Sequence, residues 1–213
     1  MAELPDIRKE YRKRSLNEES VADNAMDQFD RWWQDASKSD IEELNAMTLA
    51  TASADGLPAA RIVLLKGFDA KGFHFYTNYN SFKGKQLLEN PRACLVFFWK
   101  ELERQVRITG IVEKTSPAQS DAYFHSRPAG SRIGAWASPQ SEVIENSEWL
   151  AYQVSEMEAK LGLDDIPRPP HWGGYLVRPV TIEFWQGRPN RLHDRLLYSL
   201  QENGYWTIER LAP

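Results

Sequence analysis

The sequence predicts a mainly β protein, an antiparallel barrel with helices inserted at irregular intervals (α+β). Three observations carry that prediction. Short runs rich in β-branched and aromatic residues recur along the chain, such as AMTLATAS (46–53) and RACLVFFW (92–99). Turn signals separate several of them, at Asp55-Gly56, at Asp69–Gly72 and at Glu202-Asn203-Gly204. The helical segments do not alternate strictly with the strands, which disfavours a doubly wound parallel sheet.

In chain order, residues 1–17 are charged and weakly patterned and read as a mobile N-terminal arm, with 18–213 as a single domain. Residues 20–36 place Val21, Ala25, Met26, Phe29, Trp32 and Trp33 at helical spacing. AMTLATAS and PAARIVLLKGF (58–68) read as a hairpin, and GFHFYTN (72–78) as a third strand. Ser81 caps a short helix over 82–89, stopped before Pro91. Residues 92–99 and 104–115 are two more strands. Ser116 and Pro117 open a helix that Pro128 ends. Residues 142–161 form an amphipathic helix, and DDIPRPPHWGG (164–174) is a Pro-rich connection. YLVRPVTIEFWQG (175–187) is a strand, and DRLLYSL and YWTIERL form a terminal hairpin.

Composition narrows the class. The chain has 213 residues and a net charge of −4, from 26 Lys+Arg against 30 Asp+Glu. A polyanion binder carries a basic excess, so nucleic acid is disfavoured as a partner. Cys94 is the single cysteine, which excludes an internal disulfide; within ACLVFFW it reads as a small core residue. The N-terminal stretch lacks an apolar signal core, and no apolar run reaches membrane-spanning length. The expectation is a soluble cytoplasmic protein with no membrane partner. No GxGxxG, GxxxxGK[ST] or GxSxG motif occurs. His74, His125, His171 and His193 show no ligand spacing, so no metal is expected.

Four segments carry candidate chemistry. In RIVLLK, Arg61 and Lys66 bracket four aliphatic residues. Positions five apart on a regular strand face opposite sides, so the two cations serve different groups, or a bulge re-aims one. The plain alternative is a buried strand with solvated ends. In NYNSFKGKQL (78–87), a helix N-terminus with Lys83 and Lys85 suits a phosphate, or is an ordinary capped surface helix. In AYFHSRPAGS (122–131), Tyr123 and Arg127 share a helix face and Ser131 follows, a set able to saturate phosphate oxygens. His125 points away from that face. FWQGRPNRLHDR (184–195) gathers cations, a histidine and an aspartate at one turn. Gln105 offers an amide that both donates and accepts.

These segments, in this order, resemble the pyridoxine (pyridoxamine) 5′-phosphate oxidase family. The resemblance rests on RIVLLK, FYTN, LERQV, YFHSRP, IGAW, SPQS, WGGY, EFWQG, RLHDR and the terminal ERLAP, with RKEY (8–11) as a further match. It runs from about residue 46 to the C-terminus. It implies an FMN-binding split β-barrel, working as a homodimer with its two sites at the interface. The implied FMN contacts are Arg61, Ile62, Val63, Leu64, Leu65, Lys66, Tyr76, Thr77 and Lys83, with Gln105, Gln140, Ser141, Trp185 and Arg195. The implied substrate contacts are Lys66, Tyr123, Arg127 and Ser131 at the phosphate, and Arg191, Leu192 and His193 near the ring. Arg8, Lys9, Glu10 and Tyr11 would form a lid. The implied reaction oxidises pyridoxamine or pyridoxine 5′-phosphate to pyridoxal 5′-phosphate. A hydride leaves C4′ for flavin N5, and dioxygen reoxidises the flavin to give hydrogen peroxide. Arg191 and His193 are the implied catalytic pair. Strand alternation from 191 would point Arg191, His193 and Arg195 one way and leave Asp194 to pair with a neighbouring arginine. One departure stands out: Phe82 occupies a place where many family members carry a basic residue. The competing classes are a related split-barrel binder without turnover, expected to lack the substrate clamp, and a pure interaction module.

Overall fold

The computed structural model describes residues 10–213. Arg8 and Lys9 of the implied lid lie outside the described residues.

Among the described residues, nine strands form one antiparallel sheet: β1 (Ala46–Ala52), β2 (Pro58–Leu64), β3 (Gly67–Asp69), β4 (Gly72–Asn78), β5 (Arg92–Trp99), β6 (Arg104–Lys114), β7 (Trp172–Gln186), β8 (Asp194–Leu200) and β9 (Trp206–Arg210). Their order is β2-β1-β5-β6-β7-β4-β3, with β8 and β9 added beyond β7. The run expected as one strand over 58–68 is two strands. At Leu65 the chain still pairs with the β1 side, through Leu65 N–H to Asn45 O at 2.8 Å. One residue later it changes partner, through Lys66 N–H to His74 O at 2.9 Å. That change of partner curls the sheet and closes the barrel, so β2 and β3 form its seam.

β7 does the opposite job. Its first half pairs with β4 and its second half with β8. The register against β6 shifts at Thr109/Gly110, opposite Pro179. Proline has no N–H to give to a ladder, and the bulge there lets one strand leave the barrel and found an outer layer.

Alternation sorts the side chains. Met47 and Leu49, Leu95 and Phe97, Val106 and Ile108, and Phe73 and Phe75 fill the interior. Helix α1 (Ala25–Ser37) plugs one end, with Phe29 ring centroids 4.8 Å from Phe73 and 4.9 Å from Phe68, and Trp32 5.2 Å from Phe184. The helix begins later than its periodicity suggests because the Asn24 side chain accepts the Met26 N–H and caps it there. Cys94 is half-buried on the outer face rather than in the core. β2 is half-exposed, not the buried strand of the plain reading, with Ile62 at 65%.

Helices α2 (Phe82–Glu89), α3 (Pro117–His125), α4 (Ala129–Ala137) and α5 (Ser147–Leu161) complete the chain. Ser81 and Ser116 cap α2 and α3 as expected, the latter in a full capping box. Pro128 ends α3 but also opens α4, which carries IGAW and was not anticipated. α5 starts five residues later than the expected 142, at an Asn146 cap whose side chain accepts the Trp149 N–H. A second small core of Phe124, Ile133, Ile166 and Trp172 binds α3 and α4 to the start of β7.

Candidate active site

The seam opens into a cleft of about 510 Å³. Arg61, Ile62, Val63 and Leu64 of β2 line one wall, with Lys66 just beyond; Tyr76 and Thr77 come from β4, and Lys83 from α2. Tyr123, Arg127, Ser131, Gln140 and Trp172 supply the rest with Pro128. The break after Leu64 is what brings Arg61 and Lys66 to one cleft, resolving the parity problem of their spacing. Leu65 does not line it: the side chain is buried in the core, and both its backbone groups pair with Asn45.

Among the described residues, four cations line this cleft and no carboxylate does. The Arg61 guanidinium donates to Thr51 Oγ1 at 2.6 Å and to Leu49 O at 3.2 Å. The Lys83 ammonium donates to Thr77 Oγ1 at 3.2 Å and to Gln140 Oε1 at 3.1 Å. Burial, then the neighbouring Arg61, push Lys83 down to about 8. Burial likewise lowers Arg127, whose Nη1 is buried without a hydrogen-bond partner among the described residues. The Arg127 guanidinium lies 4.5 Å above the Trp172 ring. Beside it Tyr76, Tyr123 and Trp172 stack, with Tyr76 and Tyr123 centroids 3.9 Å apart. Gly174 makes that stack possible, because a Cβ there would sit 2.6 Å from Tyr76 Cε1 and 2.4 Å from Thr115 Oγ1.

The other expected contacts lie elsewhere. Gln105, Trp185 and Arg195 form one cross-strand row over β6, β7 and β8, on the outer face of the sheet. His193 joins them, its ring 4.5 Å from Trp185, and Tyr11 stands 5.8 Å from Trp185. The alternation expected from residue 191 does not hold. Pro189–Arg191 is a 3-10 turn, with Asn190 and Arg191 in the left-handed region at φ 56° and 61°, and the strand starts only at Asp194. Arg191 and Leu192 are exposed on this turn. Ser141 is also left-handed, at φ 73°. Backbone strain of this kind gathers at sites that need a fixed side-chain direction.

His193 Nδ1 accepts the Arg188 N–H at 3.1 Å, so the neutral ring carries its proton on Nε2. Burial and the nearby Arg191 charge lower its pKa, against an opposing pull from Asp194. Asp194 pairs with Arg210 at 3.1 Å and Arg188 at 3.4 Å, as expected of a structural carboxylate. Arg195 is held by Glu183, with Nε to Oε1 at 2.8 Å, and by Ala212 O. Glu183, buried at 3% side-chain exposure, also pairs with Arg107. Glu183 lies within EFWQG and Gly174 within WGGY, where the sequence does not announce their roles. Neither residue type signals chemistry by itself.

A split barrel with a cationic, aromatic-walled cleft on its seam places the chain in the split-barrel class. The chain belongs to the pyridoxamine 5′-phosphate oxidase family. The family profile described as pyridoxamine 5′-phosphate oxidase matches residues 34–161, and that of the pyridoxine 5′-phosphate oxidase C-terminal dimerisation region matches 172–213. A pyridoxine/pyridoxamine 5′-phosphate oxidase of Salinibacter ruber is 56% identical over 100% of both chains. One of Bordetella petrii is 58% identical over 99% of both. Among solved structures, PhzG from Burkholderia lata, in complex with tetrahydrophenazine-1-carboxylic acid, superposes with a TM-score of 0.86. It is 30% identical, over 92% of this chain and 95% of that one. A pyridoxamine 5′-phosphate oxidase-related, FMN-binding protein of Nostoc punctiforme shares the fold, with a TM-score of 0.68 at 21% identity, over 91% of this chain and 100% of that one. Among the described residues no helix is long and apolar enough to cross a membrane, and no cluster of metal-ligating side chains occurs.

Proposed function

We propose that this chain oxidises pyridoxamine and pyridoxine 5′-phosphate to pyridoxal 5′-phosphate with FMN as cofactor and dioxygen as the final acceptor. The observation that carries the reading is the cleft with four cations and no carboxylate. Such a site is incomplete without anions, and two phosphate monoesters answer that need. The orphaned Arg127 Nη1 marks one of them. Arg61 and Lys83, on the β2 and α2 side, would hold the FMN phosphate despite Phe82. Lys66, Tyr123, Arg127 and Ser131 would hold the substrate phosphate.

Bound FMN supplies the acceptor for the C4′ hydride and the route to dioxygen. The protein's own part is placement and charge. The clamp on the substrate phosphate fixes the pyridine ring by its far end, a proximity effect. His193, with its proton on Nε2, would donate a hydrogen bond to the substrate, and Arg191 would orient the ring. Gln105, Trp185 and Arg195 do not line the cleft of their own chain. In a two-fold dimer one protomer's row can complete its partner's cleft, so the FMN sites belong at the interface. The remaining parts of the reading are a single oxidase domain over 18–213, an arm over 1–17 that serves as its lid, and a cytoplasmic setting.

The test is one absorbance experiment. Purified protein shows flavin bands; pyridoxamine 5′-phosphate added without oxygen bleaches them; air restores them with an aldehyde product and hydrogen peroxide. Bands that never bleach would replace the oxidase with a flavin binder.

A further inference from the structure

Glu103 ends the turn between β5 and β6 and joins three parts of the molecule. Its carbonyl accepts the Gly187 N–H at 2.7 Å and the Gln186 amide at 3.1 Å, at the end of β7. Its carboxylate, on a residue only 3% exposed, accepts the backbone N–H groups of Arg12 at 2.8 Å and Lys13 at 3.0 Å. Its own backbone is left-handed at φ 56°. Glycine suits such a position without cost, so a glutamate there points to a use for the side chain.

The two accepted bonds fix the residue just before them. The Tyr11 ring lies directly on Gly187, where a Cβ would be 2.6 Å from Tyr11 Cγ. The ring meets Trp185 edge-on, at 89°, and stands 6.1 Å from His193. Further on, the Arg14 carbonyl accepts from Arg188 at 3.2 Å, Leu16 N–H donates to Asp194 at 3.0 Å, and Leu16 is buried. The segment 10–16 therefore lies along the β7–β8 turn that carries Arg191 and His193.

We propose that Glu103 is a positioning residue, a latch whose buried carboxylate grips the backbone of Arg12 and Lys13 and so keeps Tyr11 closed on Trp185 and His193. Its kinetic consequence rests on the oxidase reading above; the latch itself does not. A backbone grip ignores the side chains of Arg12 and Lys13, which stay exposed. Opening the latch frees Tyr11 without touching the phosphate clamp or the cationic cleft.

The test uses the full-length, FMN-loaded protein with Glu103→Ala and Glu103→Gln. Trypsin cuts after Arg12, Lys13 and Arg14, and mass spectrometry identifies those bonds. Losing two charge-assisted bonds should speed cleavage there by about tenfold and raise KM for pyridoxamine 5′-phosphate by about tenfold. FMN affinity and kcat should stay within about twofold, and Glu103→Gln, which keeps a carbonyl acceptor, should fall between. Gly187→Ala evicts the Tyr11 ring with the Glu103 grip intact, so it should raise KM without speeding cleavage, and Glu103→Gln still tests the grip if Glu103→Ala fails to fold. Wild-type cleavage and wild-type KM in these variants would overturn the proposal. Faster cleavage with unchanged KM would overturn it too, since the arm would then be held without serving the site. If the wild-type protein oxidises no pyridoxamine 5′-phosphate, the oxidase reading fails, and the cleavage rates still decide the latch.

Discussion

Arg127 is the residue whose environment says most about its ligand. A guanidinium stacked on Trp172 with an orphaned, buried Nη1 is built for an anion that shares the cleft. Arg127→Ala should therefore raise the KM for the substrate by roughly 10–100-fold, the worth of one or two charge-assisted bonds. FMN affinity should change far less; equal loss of both in steady-state kinetics and flavin titration would reassign the phosphate. Lys83 gives a pH signature. Its folded value of about 8 lies below the ordinary lysine value of 10.5, so the unfolded chain binds more protons between the two. The Lys83 contribution to apoprotein stability should rise with pH across that window and be lost as pH falls toward about 8. Denaturation curves of the apoprotein and of Lys83→Met should differ in slope there, and saturating FMN should abolish the difference. Residue types and spacing made the cations legible; their geometry was not. Strand alternation predicts one direction for Arg191 and His193, but left-handed residues at 190 and 191 break the period. Local turn conformation is set by contacts such as Arg188 N–H to His193, made between side chains and backbone of a folded loop.

At the scale of elements, most strands were legible because each buries one face and alternates. The errors fell where an element changes partner. The run 58–68 is continuous in hydrophobicity, yet it splits at Leu65 because the barrel must close, a constraint that comes from β4 and lies outside the segment. α4 is not legible in the sequence because Pro128 reads as a stop, while proline serves equally well at a helix start. The strand-start motif WGGY shows how element packing feeds the site. Gly174→Ala would force a Cβ against Tyr76 and Thr115, at the point where β7 passes β4. Overpacking of this kind costs about 1–3 kcal/mol, so a lowered Tm is expected, together with weakened substrate binding as Tyr76 moves off Tyr123. An unchanged Tm and KM would show that the stack yields without strain.

At the scale of the whole molecule, the cleft and the row Gln105, Trp185 and Arg195 are separate features of one chain. The outer sheet face exposes Ile62, Phe98 and Ile111, at 65%, 54% and 52%. Phe98 pairs in register with Gln105, beside the row that reaches Arg195. Phe98→Asp should halve the mass seen in solution and lower FMN affinity by at least about tenfold through one substitution outside the cleft. A dimer that persists with normal flavin content would place the interface elsewhere. The seam between β2 and β3 has a consequence for the living cell. The cleft lies where the sheet changes partner, so its ligands fasten the barrel at the point where it closes. Binding only the closed form raises stability with ligand concentration. If the cleft takes flavin as proposed, a newly made chain without it should keep a looser seam and offer unpaired strand edges to proteases. The amount of this protein in a cell should then follow the flavin supply, even with its gene transcribed at a constant rate.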